Sequence, residues 1–138
     1  MVSDACKDWL QSARNDFIVI DSLLGMIHNP RHRPHEQVLY HCQQATEKAL
    51  KAFLYNNNLQ PWGHDLNALR TDCSKLDIAF NAKRITDHCA FLQAYSAARY
   101  PDYTDTVDAS IASRGINSAK RVYDFVSERI GLGKVYFT

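Results

Sequence analysis

Residues 34–55 read PHEQVLYHCQQATEKALKAFLY, and this stretch decides the fold. Val38, Cys42, Ala45, Ala49 and Phe53 recur at steps of three and four, the period of an α-helix with one buried face. Pro34 suits a first helical turn, where its missing N–H costs nothing, and Glu36 complements the positive helix end. Asn56, Asn57 and Asn58 end the segment. Ala45, Ala49 and Ala52 are small enough to admit a close neighbouring helix, either from this chain or from a second copy.

Outward from that helix the pattern repeats. Upstream, a Ser3 or Asp4 cap opens a segment carrying Trp9, Ala13, Phe17, Ile20, Leu24 and Ile27 at helical steps, which predicts a long helix ending near His28. Downstream, a short helix is expected from His64 and Asp65 through Leu66, Leu69 and Cys73. A fourth follows an Asp77 cap, carries Ile78, Ile85, Cys89, Leu92 and Tyr95, and ends before Tyr100-Pro101, because a residue before proline resists helical angles. The fifth opens at Thr104 or Asp105 and runs through Val107, Ile111, Ala119, Val122, Val126 and Ile130 to Gly131. Pro30, Pro34, Pro61 and Pro101 all fall between segments. The expectation is an all-α, up-and-down bundle of four long helices plus one short helix, forming one domain over residues 1–138. The apolar tail Lys134–Thr138 is expected to pack on a partner chain or to fray.

Composition agrees with a helical bundle. Glycine and proline together number nine in 138 residues, against roughly 16 at average usage, which disfavours turn-rich sandwiches and barrels. Sixteen Lys+Arg against 15 Asp+Glu leave a formal charge of +1, so bulk charge does not make this a nucleic-acid binder, although a local basic patch is allowed. Cys6, Cys42, Cys73 and Cys89 form no CxxC pair, no secretory leader pattern opens the chain, and no apolar run reaches the ~20 residues of a membrane span. A cytoplasmic protein with reduced, buried thiols and no membrane association is expected. The five glycines are scattered, so there is no glycine-rich phosphate loop, and no Gly-Ser pair leads to the spaced acids of a nucleotidyltransferase.

Three stretches have residues suited to chemistry. In the first, His41, Gln44, Lys48 and Lys51 form a polar stripe; its plainest reading is a solvated face with a Gln44–Lys48 pair and a Glu47–Lys51 ion pair. The second is Trp62-Gly63-His64-Asp65-Leu66, where a helix start and a histidine could receive a phosphate, or the His-Asp pair could simply cap the helix. The third is Arg99-Tyr100-Pro101-Asp102-Tyr103, followed by Asp105 and Asp108. Its arginine offers a planar fork and its tyrosines a stacking surface, or Arg99 anchors the bundle by pairing with Glu47 or Asp102. Asp105 and Asp108 read as a helix cap and a first-turn acid rather than a metal cage, and the His28, Arg31, His32, Arg33, His35 loop lacks a completing acid or thiol, so no metal site is expected. The neighbours His41-Cys42 and His88-Cys89 point about 100° apart on a helix, so packing rather than a thiolate nucleophile is expected.

The same three stretches, HCQQATEKALK at 41–51, GHDL at 63–66 and ARYPD at 98–102, resemble in order and separation the signature of the HEPN family, named for higher eukaryotes and prokaryotes nucleotide-binding. The resemblance spans Trp9 to Ile130 and is to the RYPD-containing type. It implies a bundle of four or five helices, commonly a homodimer, often working beside a minimal nucleotidyltransferase in a complex or a toxin–antitoxin pair. On that resemblance the ligand is a nucleotide or an RNA phosphate, with no cofactor. Lys48 would supply charge, Arg99 a bidentate contact, Tyr100 and Tyr103 a stacking wall, Gln44 a hydrogen bond to base or ribose, and His64 a further phosphate contact. Glu47, Asp65 and Asp102 would serve as structural members of the motifs. Family members with ribonuclease activity place a histidine four to six residues beyond an arginine and a polar residue. Here no histidine follows Arg99; Arg84 to His88 and Arg31 to His35 have three intervening residues, leaving Arg84 and His88 as a weak catalytic pair. A binding subunit is therefore the leading expectation, with a metal-independent ribonuclease and a pure scaffold as alternatives.

Overall fold

Ser3 starts the bundle as the sequence predicts: its extended backbone precedes the helix and its Oγ accepts the Cys6 amide at 3.1 Å. The computed structural model describes residues 1–29, 34–95 and 107–138, and within them contains helices and no strands. These are α1 (Asp4–Leu24), α2 (His35–Asn56), α3 (Leu66–Leu76), α4 (Lys83–Ala94) and α5 (Ala109–Ile130), with a 3₁₀ turn over Ile78–Asn81 between α3 and α4. The Ser3 amide donates to Asn56 Oδ1 at 2.9 Å, and Trp9 stacks on Tyr55, so α1 and α2 lie antiparallel.

Helix α2 is the central element and packs against α1, α3, α4 and α5. Its Ala45, Ala49 and Ala52 are completely buried inside this chain. On α5, Gly115 serves the same end: a Cβ there would stand 2.5 Å from Leu39 Cδ1, so any side chain at that position would require Leu39 to move aside. All four cysteines are free and buried, and burial alone or chiefly pushes the thiols up, to about 11 for Cys6 and about 12 for Cys42 and Cys89. They are packing groups, not nucleophiles.

The ends of the helices correct several sequence expectations. Helix α1 stops at Leu24 rather than near His28: the Met26 and Ile27 amides turn to the carbonyls three residues back, of Leu23 and Leu24, and Ile27 is exposed instead of completing the apolar stripe. Pro34 occupies the cap position of α2 instead of its first turn. Asp77 caps the 3₁₀ turn, not a continuous fourth helix; Ala82 then adopts an extended conformation and α4 begins afresh at Lys83. The interruption turns Ile78 out to solvent, 76% exposed, and buries Phe80 against Phe53 and Phe125. Helix α5 is capped by Asp108, whose Oδ1 accepts the Ile111 amide at 2.8 Å; Val107 packs in the core just before it, and Thr104 and Asp105 lie outside the described residues. Gly131 ends α5 in the left-handed conformation, with φ of 99°.

Beyond Gly131 the tail is tied to its own chain. Asp124, buried in α5, accepts the amides of Val135, Tyr136 and Phe137 at 2.7 to 3.2 Å, and the Tyr136 ring lies 4.7 Å from Phe17 and 5.4 Å from Tyr123.

Asp77 also ties the 3₁₀ turn to α5 through Arg129 Nε, 2.6 Å away. Burial opposes ionisation of this carboxyl, but the Arg129 hydrogen bond, the Ala79 amide and the Arg129 charge outweigh it and hold Asp77 below the usual 3.8. A carboxyl depressed on folding stabilises the native state fully above its unfolded value and loses that contribution as pH falls through the folded value. Asp77→Asn is therefore expected to lower the melting temperature at pH 7 and to shrink the difference from wild type below about pH 3.8, as checked by thermal melts from pH 7 to pH 2.5.

Candidate functional site

The polar side of α2 is organised around two buried carboxylates. Asp16, from α1, accepts His41 Nδ1–H on one oxygen and Lys48 Nζ on the other, each at 2.8 Å. Glu47 accepts Lys51 Nζ and His64 Nδ1–H on a single oxygen, each at 3.0 Å. Each carboxylate thus gathers one lysine and one histidine. A carboxylate can only accept, so both imidazoles carry a proton on Nδ1 and keep Nε2 for another partner. The two histidines differ in access: the His41 side chain is 24% exposed and that of His64 84%. Lys51 is buried, with its ammonium 5.6 Å from the centre of the Trp9 ring.

This geometry settles part of the polar-stripe reading. The Glu47–Lys51 pair forms, but Lys48 reaches across to Asp16 on α1 rather than to Gln44, because a buried carboxylate rewards a cation more than a neutral amide does. Gln44 sits half-buried on the same helix. With Asp16 and Glu47 in place, Lys48 and Lys51 carry largely offset charge.

The second stretch is locked to the first. Asp65 caps α3 by accepting the Ala68 amide at 3.0 Å, Leu66 N–H donates to Gln93 Oε1 at 2.8 Å, and His64 is held by Glu47. Gln43, also buried on α2, donates to the Leu92 carbonyl at 2.7 Å and ties α2 to the end of α4. Arg99, Tyr100, Asp102 and Tyr103 lie outside the described residues, as do Arg31 to Arg33. Arg84 and His88 share one face of α4, where the Arg84 guanidinium rests 5.4 Å over Phe125 and His88 is hydrogen-bonded to Ser118. No group of three or more His, Cys, Asp and Glu side chains among the described residues is placed to hold a metal ion. Two grooves of about 200 and 230 Å³ open elsewhere, one beside Arg14, Asp21 and Tyr136, the other beside Leu54, Pro61 and Leu76.

Asp16 is the functional-site residue that the sequence reading passes over. A signal exists: it falls on the stripe of Ala13, Phe17 and Ile20, where an acid must find a buried partner. The identity of that partner depends on how α1 and α2 are set against each other, which no local pattern gives.

A bundle with five α-helices among the described residues, whose central helix carries a motif of histidine, lysines and glutamate locked to a Gly-His-Asp helix start, defines a class of small all-α domain. The HEPN domain model matches residues 6–130, and the chain belongs to the HEPN family. The fold is also that of TT1696 from Thermus thermophilus, known from a crystal structure, with a TM-score of 0.71, 23% sequence identity, and coverage of 92% of this chain and 99% of that one. No curated protein matches the chain. No helix among the described residues is long and apolar enough to cross a membrane.

Proposed function

We propose that this chain is a cytoplasmic nucleotide- or RNA-phosphate-binding subunit, a single HEPN domain that acts as a dimer beside a minimal nucleotidyltransferase in a nucleotidyl-transfer or toxin–antitoxin-like complex. The observation that carries the binding reading is His64. Its Nδ1 is fixed by a buried carboxylate, its Nε2 is left for a ligand, and it stands almost fully exposed at the start of α3. The resemblance in motif order adds Lys48, Gln44, Arg99, Tyr100 and Tyr103 as ligand contacts, and Glu47, Asp65 and Asp102 as the residues that set the motifs. The partner and the dimer are what the same resemblance implies.

Calorimetric titration with a mononucleotide and with a short single-stranded RNA tests the reading. Saturable binding to wild type is expected, weakened about tenfold in His64→Ala and in Arg99→Ala, with melting temperatures of both variants near that of wild type. A large loss of stability in Arg99→Ala, together with no heat of binding for wild type, overturns it in favour of a scaffold. Cleavage of labelled RNA in the presence of chelator, lost in His88→Ala, replaces it with the ribonuclease alternative.

A further inference from the structure

The face formed by α4 and α5 carries positive charge that the motif-bearing side does not. Arg84, His88 and Phe91 lie at i, i+4 and i+7 on α4, and Arg114, Ser118 and Arg121 lie at the same spacing on α5. The two rows meet where His88 Nδ1 and buried Ser118 Oγ are hydrogen-bonded at 2.9 Å. Among the described residues each arginine is placed over an aromatic ring and not against an acid. The Arg114 guanidinium is 4.1 Å from the Phe91 centroid, that of Arg121 is 3.6 Å from Phe137, and that of Arg84 is 5.4 Å from Phe125. Among the described residues none of the three forms an ion pair with a carboxylate, and the nearby acid, Asp87, is bonded to Lys83 at 2.8 Å. This contrasts with Lys48 and Lys51, whose charges Asp16 and Glu47 answer.

A guanidinium placed over a ring instead of paired with a carboxylate keeps N–H groups for another partner, and its planar fork matches phosphate oxygens bidentately. Arg114 and Arg121 are roughly 10 Å apart along the helix at 1.5 Å per residue, which is more than one phosphate spans, so the two would meet different phosphates of a strand. We infer that Arg84, His88, Arg114 and Arg121 form a second phosphate site, which takes the phosphodiester backbone of a single-stranded nucleic acid across the α4–α5 seam. The inference deepens the binding function proposed above and rests on it, but locates the strand on a different face from His64.

His88 provides an independent readout. Burial, then the charges of Arg121, Arg84 and Arg114, hold it below the usual 6.5, with Asp87 opposing in part. A bound phosphate supplies the missing anion and should raise that value.

The test is fluorescence anisotropy of a labelled twelve-nucleotide RNA at 50 and 200 mM salt. The proteins are wild type, the Arg114→Gln/Arg121→Gln double variant, Arg84→Gln, His64→Ala and, as a surface control on α3, Lys75→Gln. The double variant is expected to bind at least about tenfold more weakly with a salt slope reduced by about 1.4, and Arg84→Gln to bind several-fold more weakly. Lys75→Gln should match wild type, and the His88 resonances of wild type should titrate at higher pH once RNA is added. Should Arg114→Gln/Arg121→Gln bind as wild type does while His64→Ala fails, the second site is wrong and the binding function stands. If the arginine variants fail and His64→Ala binds normally, the second site stands and the placement at His64 is wrong. Absence of RNA binding by wild type overturns both.

Discussion

Phe80→Ala is expected to cost about 3–5 kcal/mol, the largest loss of any single truncation in this bundle. Phe80 is completely buried at the centre of an aromatic cluster, 4.5 Å from the Phe53 centroid and 5.0 Å edge-on to Phe125, so it joins the 3₁₀ turn to α2 and α5 together. Its backbone carbonyl also accepts from Arg70 Nη1 at 3.3 Å, which holds the turn onto α3 and limits how far the surroundings can collapse into the space left behind. In a thermal melt this should appear as a fall on the order of 10–15 °C for a chain of this length. Phe80→Leu, which keeps most of the volume, should lose well under half as much. Equal losses for the two would mean that ring geometry rather than cavity formation governs the site. Ile78→Ala, two residues away, should be within about 0.5 kcal/mol of wild type because its side chain is already in water.

The second large effect is expected at Asp124. Its carboxylate accepts three consecutive amides of the tail, and those bonds seat Tyr136 against Phe17 and Tyr123. Asp124→Ala removes every acceptor at once, so the tail is released and its amides turn to water instead of remaining buried and orphaned. The net cost is expected to be about 2–4 kcal/mol, from charge-assisted hydrogen bonds and the apolar area of one tyrosine. Hydrogen exchange gives the specific signature: the amides of Val135, Tyr136 and Phe137 should lose protection in the variant while those of α2 keep theirs. A chain ending at Lys134 should show the same loss of stability, and adding Asp124→Ala to it should cost little more. Strictly additive losses would show that Asp124 has a role unconnected with the tail.

These two positions also show where the sequence was legible and where it was not. Helical period, prolines and caps locate the helices closely: Ser3, Asp65 and Gly131 act at the ends where the pattern places them. Phe80 is different because residues 77–95 read as one helix; neither proline nor glycine marks the break at Ala82, and a turn of 3₁₀ rotates the apolar residues so that Phe80, not Ile78, faces inward. Asp124 is an acid amid apolar α5 residues, and its partners are amides that return only because the chain reverses after Gly131. Such long-range closures leave no local period.

The site divides in the same way. The Glu47–Lys51 pair follows from i, i+4 spacing and is present. The links Asp16–His41, Asp16–Lys48 and Glu47–His64 join residues 17 to 32 apart, and they follow from the antiparallel setting of α1 on α2 and of α3's start beside α2. The row of Arg114, Ser118 and Arg121 is visible in the sequence as a spacing, but its meaning depends on α4 facing it with Arg84 and His88. Near-neutral overall charge concealed a local asymmetry: Lys48 and Lys51 are answered by acids, whereas Arg114 and Arg121 lie over rings.

Histidine resonances report on both sides at once, and following His41, His64 and His88 by NMR during a titration with a short single-stranded RNA tests the central claim most directly. The account predicts saturable movement of His64 and His88, with a smaller change at His41, whose imidazole is mostly covered. If all three stay fixed at an RNA concentration well above that of the protein, the chain is not a phosphate-binding subunit.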